Sequence, residues 1–143
     1  MQIVTLGREH LSGVAKIEQE CFSQPWSEKA LEILLSDNAV AVVAVLDGEA
    51  VAYAGMTLVL DEGQITNVAT LPSYRRRGFS RAVLEELIAR AEEKGISSIF
   101  LEARVSNVPA LSLYESLGFC RIGMRRRFYS APVEDAVLME LKI

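Results

Sequence analysis

The stretch NVATLPSYRRRGFSR, Asn67 to Arg81, decides how the rest of the chain is read. It begins as the end of a strand, breaks at Leu71-Pro72, and runs through Arg75-Arg76-Arg77-Gly78 into a periodic segment. There Ser80, Val83, Leu84, Leu87, Ile88 and Ala91 recur at helical spacing while Arg81, Glu85, Glu86, Arg90, Glu92 and Glu93 take the wet face. A glycine at the head of a helix leaves backbone N–H groups unpaired at the positive end of the helix dipole, where phosphate oxygens bind. The junction therefore reads as an anion cradle; the competing reading is three arginines that merely solvate a loop. It is neither the dinucleotide GxGxxG nor the Walker GxxxxGK[ST], because the glycine count is wrong and no Lys-Ser/Thr follows.

Upstream, Leu11, Val14, Ala15, Ile17 and Cys21 predict an amphipathic helix over His10–Phe22, and Ser27 caps a second one carrying Leu31, Leu34 and Leu35. Ala39–Leu46 and Ala50–Leu60 are strand-like runs joined by Asp47-Gly48, a hairpin dipeptide, and Gln64–Leu71 completes a meander. Downstream, Gly95 ends the long helix, Ser98–Arg104 reads as a buried strand, and Asn107–Leu117 as a helix ended by Gly118. Phe119–Phe128 and Val133–Leu141 close the chain as strands. The predicted order is ααβββαβαββ, an α/β (α+β) fold with a mixed sheet in which Gln64–Leu71 and Ser98–Arg104 are parallel neighbours.

The 143 residues, 50% hydrophobic and 24% charged, fit one domain spanning 1–143. No apolar run approaches the ~20 residues of a membrane helix, and no signal peptide is encoded, so a cytoplasmic address is expected. Cys21 and Cys120 lack CxxC spacing and read as small buried hydrophobes. A formal charge of −4 argues against direct nucleic-acid binding, although Arg75–Arg77 and Arg125–Arg127 concentrate positive charge at two points. His10 reads as a helix cap or surface residue, and no set of residues has metal-ligand spacing.

A second informative segment is LEARVSNVPALSLYESLGF, Leu101 to Phe119. Glu102 stands inside an apolar strand, where a carboxylate is costly to bury without a partner or a task. Its competing reading is a solvated residue paired with Arg104. Asn107 and Tyr114, seven apart, share a helix face; alternatively Asn107 is an N-cap and Tyr114 packs the core. Cys120 has no histidine nearby to activate it as a nucleophile.

Taken together, Arg75-x-x-Gly78-x-Ser80 after a strand and SNxxAxxLYExxGF at 106–119 resemble the GCN5-related N-acetyltransferases, the GNAT family, over essentially the whole chain. Pro25-Trp26-Ser27-Glu28, LEARVSN and the Arg-rich segment through Tyr129 are similar to the branch that acetylates the N-terminal alanine of a small-subunit ribosomal protein. Ser80 departs from the pattern, standing where Gly or Ala is usual.

The resemblance implies acetyl-CoA as donor, its pyrophosphate on the amides of Arg76, Arg77, Gly78, Phe79, Ser80 and Arg81. It implies the pantetheine arm on those of Val68, Ala69 and Thr70, with Val68 polarising the thioester carbonyl and Asn107 adding a side-chain contact. It further implies Glu102 as general base, through water where direct contact is too long, and Tyr114 as the acid for the departing thiolate; with no activated cysteine and no metal-ligand set in the sequence, direct attack is expected. The acceptor would be a protein N-terminus, received at Tyr129 and Trp26, though Trp26 also reads as a hydrophobic staple. On strand alternation Arg125, Arg127 and Tyr129 share one face. The rivals are an acetyltransferase for small-molecule amines and a CoA-binding module without turnover.

Overall fold

A computed structural model describes residues 1–143. Its strands are β1 (Gln2–Thr5), β2 (Ala39–Leu46), β3 (Glu49–Val59), β4 (Glu62–Thr70), β5 (Ser98–Arg104), β6 (Cys120–Tyr129) and β7 (Glu134–Lys142). Its helices are α1 (Leu11–Cys21), α2 (Glu28–Leu31), α3 (Phe79–Glu93) and α4 (Val108–Ser116), with 3-10 turns at Arg8–His10, Glu32–Leu35 and Pro72–Tyr74. One seven-stranded sheet runs in the order β1-β2-β3-β4-β5-β7-β6, antiparallel except for the β4–β5 pair. The predicted meander and the parallel neighbours are both present. β1 is an addition to the predicted order: four residues pairing Gln2 to Thr5 with Val45 to Val42 are too short to show a period.

Each element follows from its residues. β2, AVAVVAVL, is buried along most of its length because helices cover both sheet faces. Helices α1 and α3 both pack on β3 and β4. The Ser27 hydroxyl accepts from the Ala30 N–H at 3.1 Å, a cap worth about 1 kcal/mol. His10 accepts from the Gly7 N–H through Nδ1 at 2.8 Å, in keeping with its capping reading. On β5, Ile99, Leu101 and Ala103 are buried while Phe100, Glu102 and Arg104 share the half-buried face.

Two departures shape the sheet. Pairing of β4 with β5 covers only Glu62–Gln64 against Ser98–Phe100, after which the strands part. A bulge sits where β4 leaves: Asn67 opposes Gly55 and Ile65 opposes Met56, with Thr66 between them donating to the Gly55 carbonyl at 3.0 Å. Edge strand β6 carries two further bulges, one at Ile122 and one between Arg125 and Tyr129. The second overturns the expected alternation of Arg125, Arg127 and Tyr129. Arg127 has φ 52° and its N–H donates to Asp135 at 2.8 Å, so three residues of β6 face one of β7. Cys120 is exposed at the start of β6, not buried as its residue type implied.

Candidate active site

The parting of β4 and β5 opens a cleft of about 490 Å³. Residues Cys21–Gln24 and Trp26 wall it on one side; Leu101–Arg104, Asn107, Tyr114 and Tyr129 wall it on the other, with Ile65–Val68 between. Beyond Gln64 no strand pairs with the cleft edge of β4. The Leu71 N–H donates to the Val51 carbonyl at 2.8 Å, so by alternation the Ala69 N–H also faces β3. The amides of Val68 and Thr70 then face the cleft, and Ala69 cannot join them as expected. The Thr70 carbonyl already accepts from Cys21 Sγ at 3.2 Å and Arg75 Nε at 3.4 Å.

At the far end of β4, Gly78 caps α3 with φ 82°. A Cβ there would touch nothing within 4 Å, so the backbone angle and not space requires glycine. The first capping-turn bond runs from Ala82 N–H to the Gly78 carbonyl at 3.0 Å, leaving the amides of Phe79, Ser80 and Arg81 without intrahelical acceptors. Arg76, at φ 64°, makes no side-chain hydrogen bond or ion pair of its own. Arg77 lies over the rings of Tyr74 and Phe79 at 5.3 and 5.7 Å. Arg81 donates to Ser116 Oγ at 2.6 Å. The Ser80 hydroxyl is 2.7 Å from Thr70 Oγ1, tied back to β4.

Across the cleft, Glu102 Oε2 accepts from Gln64 Nε2 at 2.8 Å. Arg104 is not its partner: the guanidinium donates to Pro132 and Ser130 carbonyls and to Glu134, and covers the Tyr129 ring at 4.5 Å. Glu134, whose carboxyl is held below its usual range by the Ser106 side chain and N–H, thereby clips the β6–β7 turn to β5. Tyr114 is buried edge-on against Phe119, and burial pushes its phenol up to about 12. Tyr129 rises to about 12 through burial and the Glu102 carboxylate. Asn107 is the N-cap of α4, accepting from Ala110 N–H at 3.4 Å, and lines the cleft as well. No group of three or more His, Cys, Asp or Glu side chains is assembled to hold a metal.

The family model for the acetyltransferase (GNAT) family matches residues 11–119. The chain belongs to the GNAT acetyltransferase family. Among curated relatives, the [ribosomal protein bS18]-alanine N-acetyltransferases of Escherichia coli and Salmonella typhimurium are 38% and 37% identical, each alignment covering 99% of this chain and 97% of theirs. The crystal structure of the Escherichia coli ribosomal-protein-S18-alanine N-acetyltransferase superposes with a TM-score of 0.92 at 38% identity, over 99% of this chain and 93% of that one. The protein is an acetyl-CoA-dependent N-acetyltransferase. Its cleft edge presents the amides of Val68 and Thr70, and those of Phe79–Arg81 stand open at the head of α3.

Residues not singled out from the sequence also shape this acetyltransferase. Glu18 is fully buried and accepts from Tyr53 Oη at 2.5 Å, Asn67 Nδ2 at 2.9 Å and the Trp26 N–H at 2.9 Å. Burial and that carboxylate raise the Tyr53 phenol strongly. The signal was present: position 18 falls seven after Leu11 and four after Val14, on the apolar stripe of α1. Gln64, the partner of Glu102, had none, because it lies in another strand.

Proposed function

We propose that this acetyltransferase acts on protein N-terminal α-amines, with the N-terminal alanine of ribosomal protein bS18 as acceptor, as one domain of residues 1–143 in the cytoplasm. The observation that carries the reading is a cleft with unpaired strand amides on one wall and a hydrogen-bonded carboxylate on the other. The 38% identity to an enzyme with that named acceptor supports the choice.

In this reading Val68 and Thr70 pair with the pantetheine arm and Phe79–Arg81 amides hold the pyrophosphate, beside the Arg76 and Arg77 turn. The Val68 N–H stabilises the oxyanion formed when the amine attacks the thioester carbon. Glu102 takes the proton from the ammonium, directly or through water, with Gln64 holding one oxygen so that the other faces the amine. An α-ammonium near pKa 8 gives up that proton more readily than a lysine near 10.4, a difference of about 3 kcal/mol. Asn107 flanks the donor, while Tyr129 and Trp26 wall the acceptor.

Tyr114 completes the set, in a modified role. A phenol at about 12 is a weaker acid than a thiol near 8.5, so full proton transfer to the thiolate is uphill by roughly 5 kcal/mol. Its hydroxyl instead donates a hydrogen bond to sulfur as the C–S bond breaks, and the proton that completes the thiol comes from the attacking nitrogen. Burial raises the Cys21 thiol, which keeps it protonated and favours direct attack over an acetyl-cysteine intermediate. Incubation with acetyl-CoA and a short peptide beginning with alanine, read by mass spectrometry, is expected to place the acetyl group on the terminal nitrogen. Acetylation confined to internal lysines or to small amines removes the acceptor assignment.

A further inference from the structure

The wall formed by residues 22–26 packs Phe22 and Trp26 against the core, but its polar ties to the rest of the protein come mainly from one side chain. Residues 23–26 make no backbone–backbone hydrogen bond, and between the end of α1 and the Ser27 cap the only backbone N–H bonded to a side chain is that of Trp26, on Glu18 Oε1. The single other polar tie is the Gln24 side chain, accepting from Ser130 at 3.1 Å across the cleft. The second Glu18 oxygen takes Asn67, next to Val68 on β4, and Tyr53 beneath. A carboxylate so placed links the wall to β4 and fixes the distance between them.

We propose that Glu18 is a positioning residue for the acceptor: its carboxylate tethers the Phe22–Trp26 wall at the spacing from β4 that a peptide terminus requires. The inference rests on the acceptor reading above. Glu18 touches neither the α3 amides nor the edge amides directly, and reaches β4 only through the Asn67 side chain, so its loss is expected to leave acetyl-CoA affinity close to the parent's. Tyr53 supplies the internal contrast, since its hydroxyl reaches the same carboxylate from inside the sheet without touching the wall.

The test is steady-state kinetics with the alanine-terminated peptide, beside acetyl-CoA calorimetry and thermal melting. Glu18→Met, which fills the volume without an acceptor, is expected to raise the peptide KM by roughly tenfold or more, the factor for losing a charge-assisted hydrogen bond. Glu18→Gln keeps an oxygen for the Trp26 N–H and is expected to restore most of that loss. Tyr53→Phe is expected to lower the melting temperature with the peptide KM within about twofold of the parent. Should Glu18→Met not fold, Glu18→Asp withdraws the carboxylate by one methylene and is expected to raise the peptide KM in the same sense.

A peptide KM unchanged in both Glu18→Met and Glu18→Asp overturns the proposal. So does a matching loss of acetyl-CoA affinity, or a Tyr53→Phe defect equal to that of Glu18→Met, since each makes the carboxylate a support of the whole fold. A parent enzyme that leaves the alanine peptide unmodified refutes the acceptor reading itself, a result visible before any variant is made.

Discussion

Replacing Tyr114 by Phe removes one oxygen and little else. The ring sits edge-on to Phe119, with centroids 5.8 Å apart, and those contacts survive the change. The hydroxyl makes no hydrogen bond within the protein, and no buried side-chain polar atom lacks a partner, so it reaches the cleft and stability should move by less than about 0.5 kcal/mol. What is lost is a donor aimed at a sulfur that gains charge in the transition state. A hydrogen bond to a charged group is worth about 1.5–3 kcal/mol, which at about 1.4 kcal/mol per decade gives a fall in kcat of roughly 10- to 100-fold. Release of the CoA thiol, followed with a thiol-reactive dye at saturating acetyl-CoA and peptide, measures it. Calorimetry should give the parent acetyl-CoA affinity. A kcat within about threefold of the parent would refute the assigned role, because no ground-state contact remains to account for the residue.

Glu102→Gln should lower kcat/KM by about 100-fold or more with acetyl-CoA affinity unchanged, since amide cannot accept the ammonium proton; single-turnover acetylation of the peptide checks it. Gln64→Leu should give a milder fall, about 5- to 10-fold in kcat/KM, by freeing the Glu102 carboxylate from its 2.8 Å donor, and equal activity would dissociate that contact from catalysis. Gly78→Val forces a branched side chain to φ 82°, a strain of about 1–2 kcal/mol, and should weaken acetyl-CoA binding at least about tenfold in calorimetry. At alkaline pH, unfolded tyrosines ionise near 10 while Tyr114 and Tyr129 hold their protons to about 12. The folded state then binds more protons, so stability is full below pH 10 and falls as pH rises toward 12, by roughly 2–3 kcal/mol from buried Tyr114. Denaturant midpoints between pH 9 and 12 should show the loss, and Tyr114→Phe should flatten it.

Much of this was legible because the informative signals are local. Periodicity and glycine stops placed α1, α3, α4 and six strands, and the Gly78 junction, where α3 does open with unpaired amides, was read from fifteen consecutive residues. β1 was missed because four residues carry no period, and its strand character comes from pairing with β2. The orientation of Ala69 and the bulge at Arg125–Tyr129 depend on which neighbour supplies the hydrogen bonds, which adjacent residues do not encode. Glu102 was found as an odd residue in an apolar strand, whereas its donor Gln64 lies 38 positions away and had no local mark. Glu18 was passed over although it stands as a charge in an apolar stripe, and what it grips comes from three separate elements.

The two margins of the sheet are closed to further strands by different means. β1 offers a neighbouring chain only four residues to zip against. β6 is long and exposed, yet it is buckled twice and carries Arg121, Arg125, Arg126 and Arg127. A stray segment laid along it would lose register at each buckle and meet like charge if it came from a second copy. The same kink that spoiled a simple reading of the arginines thus makes this margin a poor template for edge-to-edge growth.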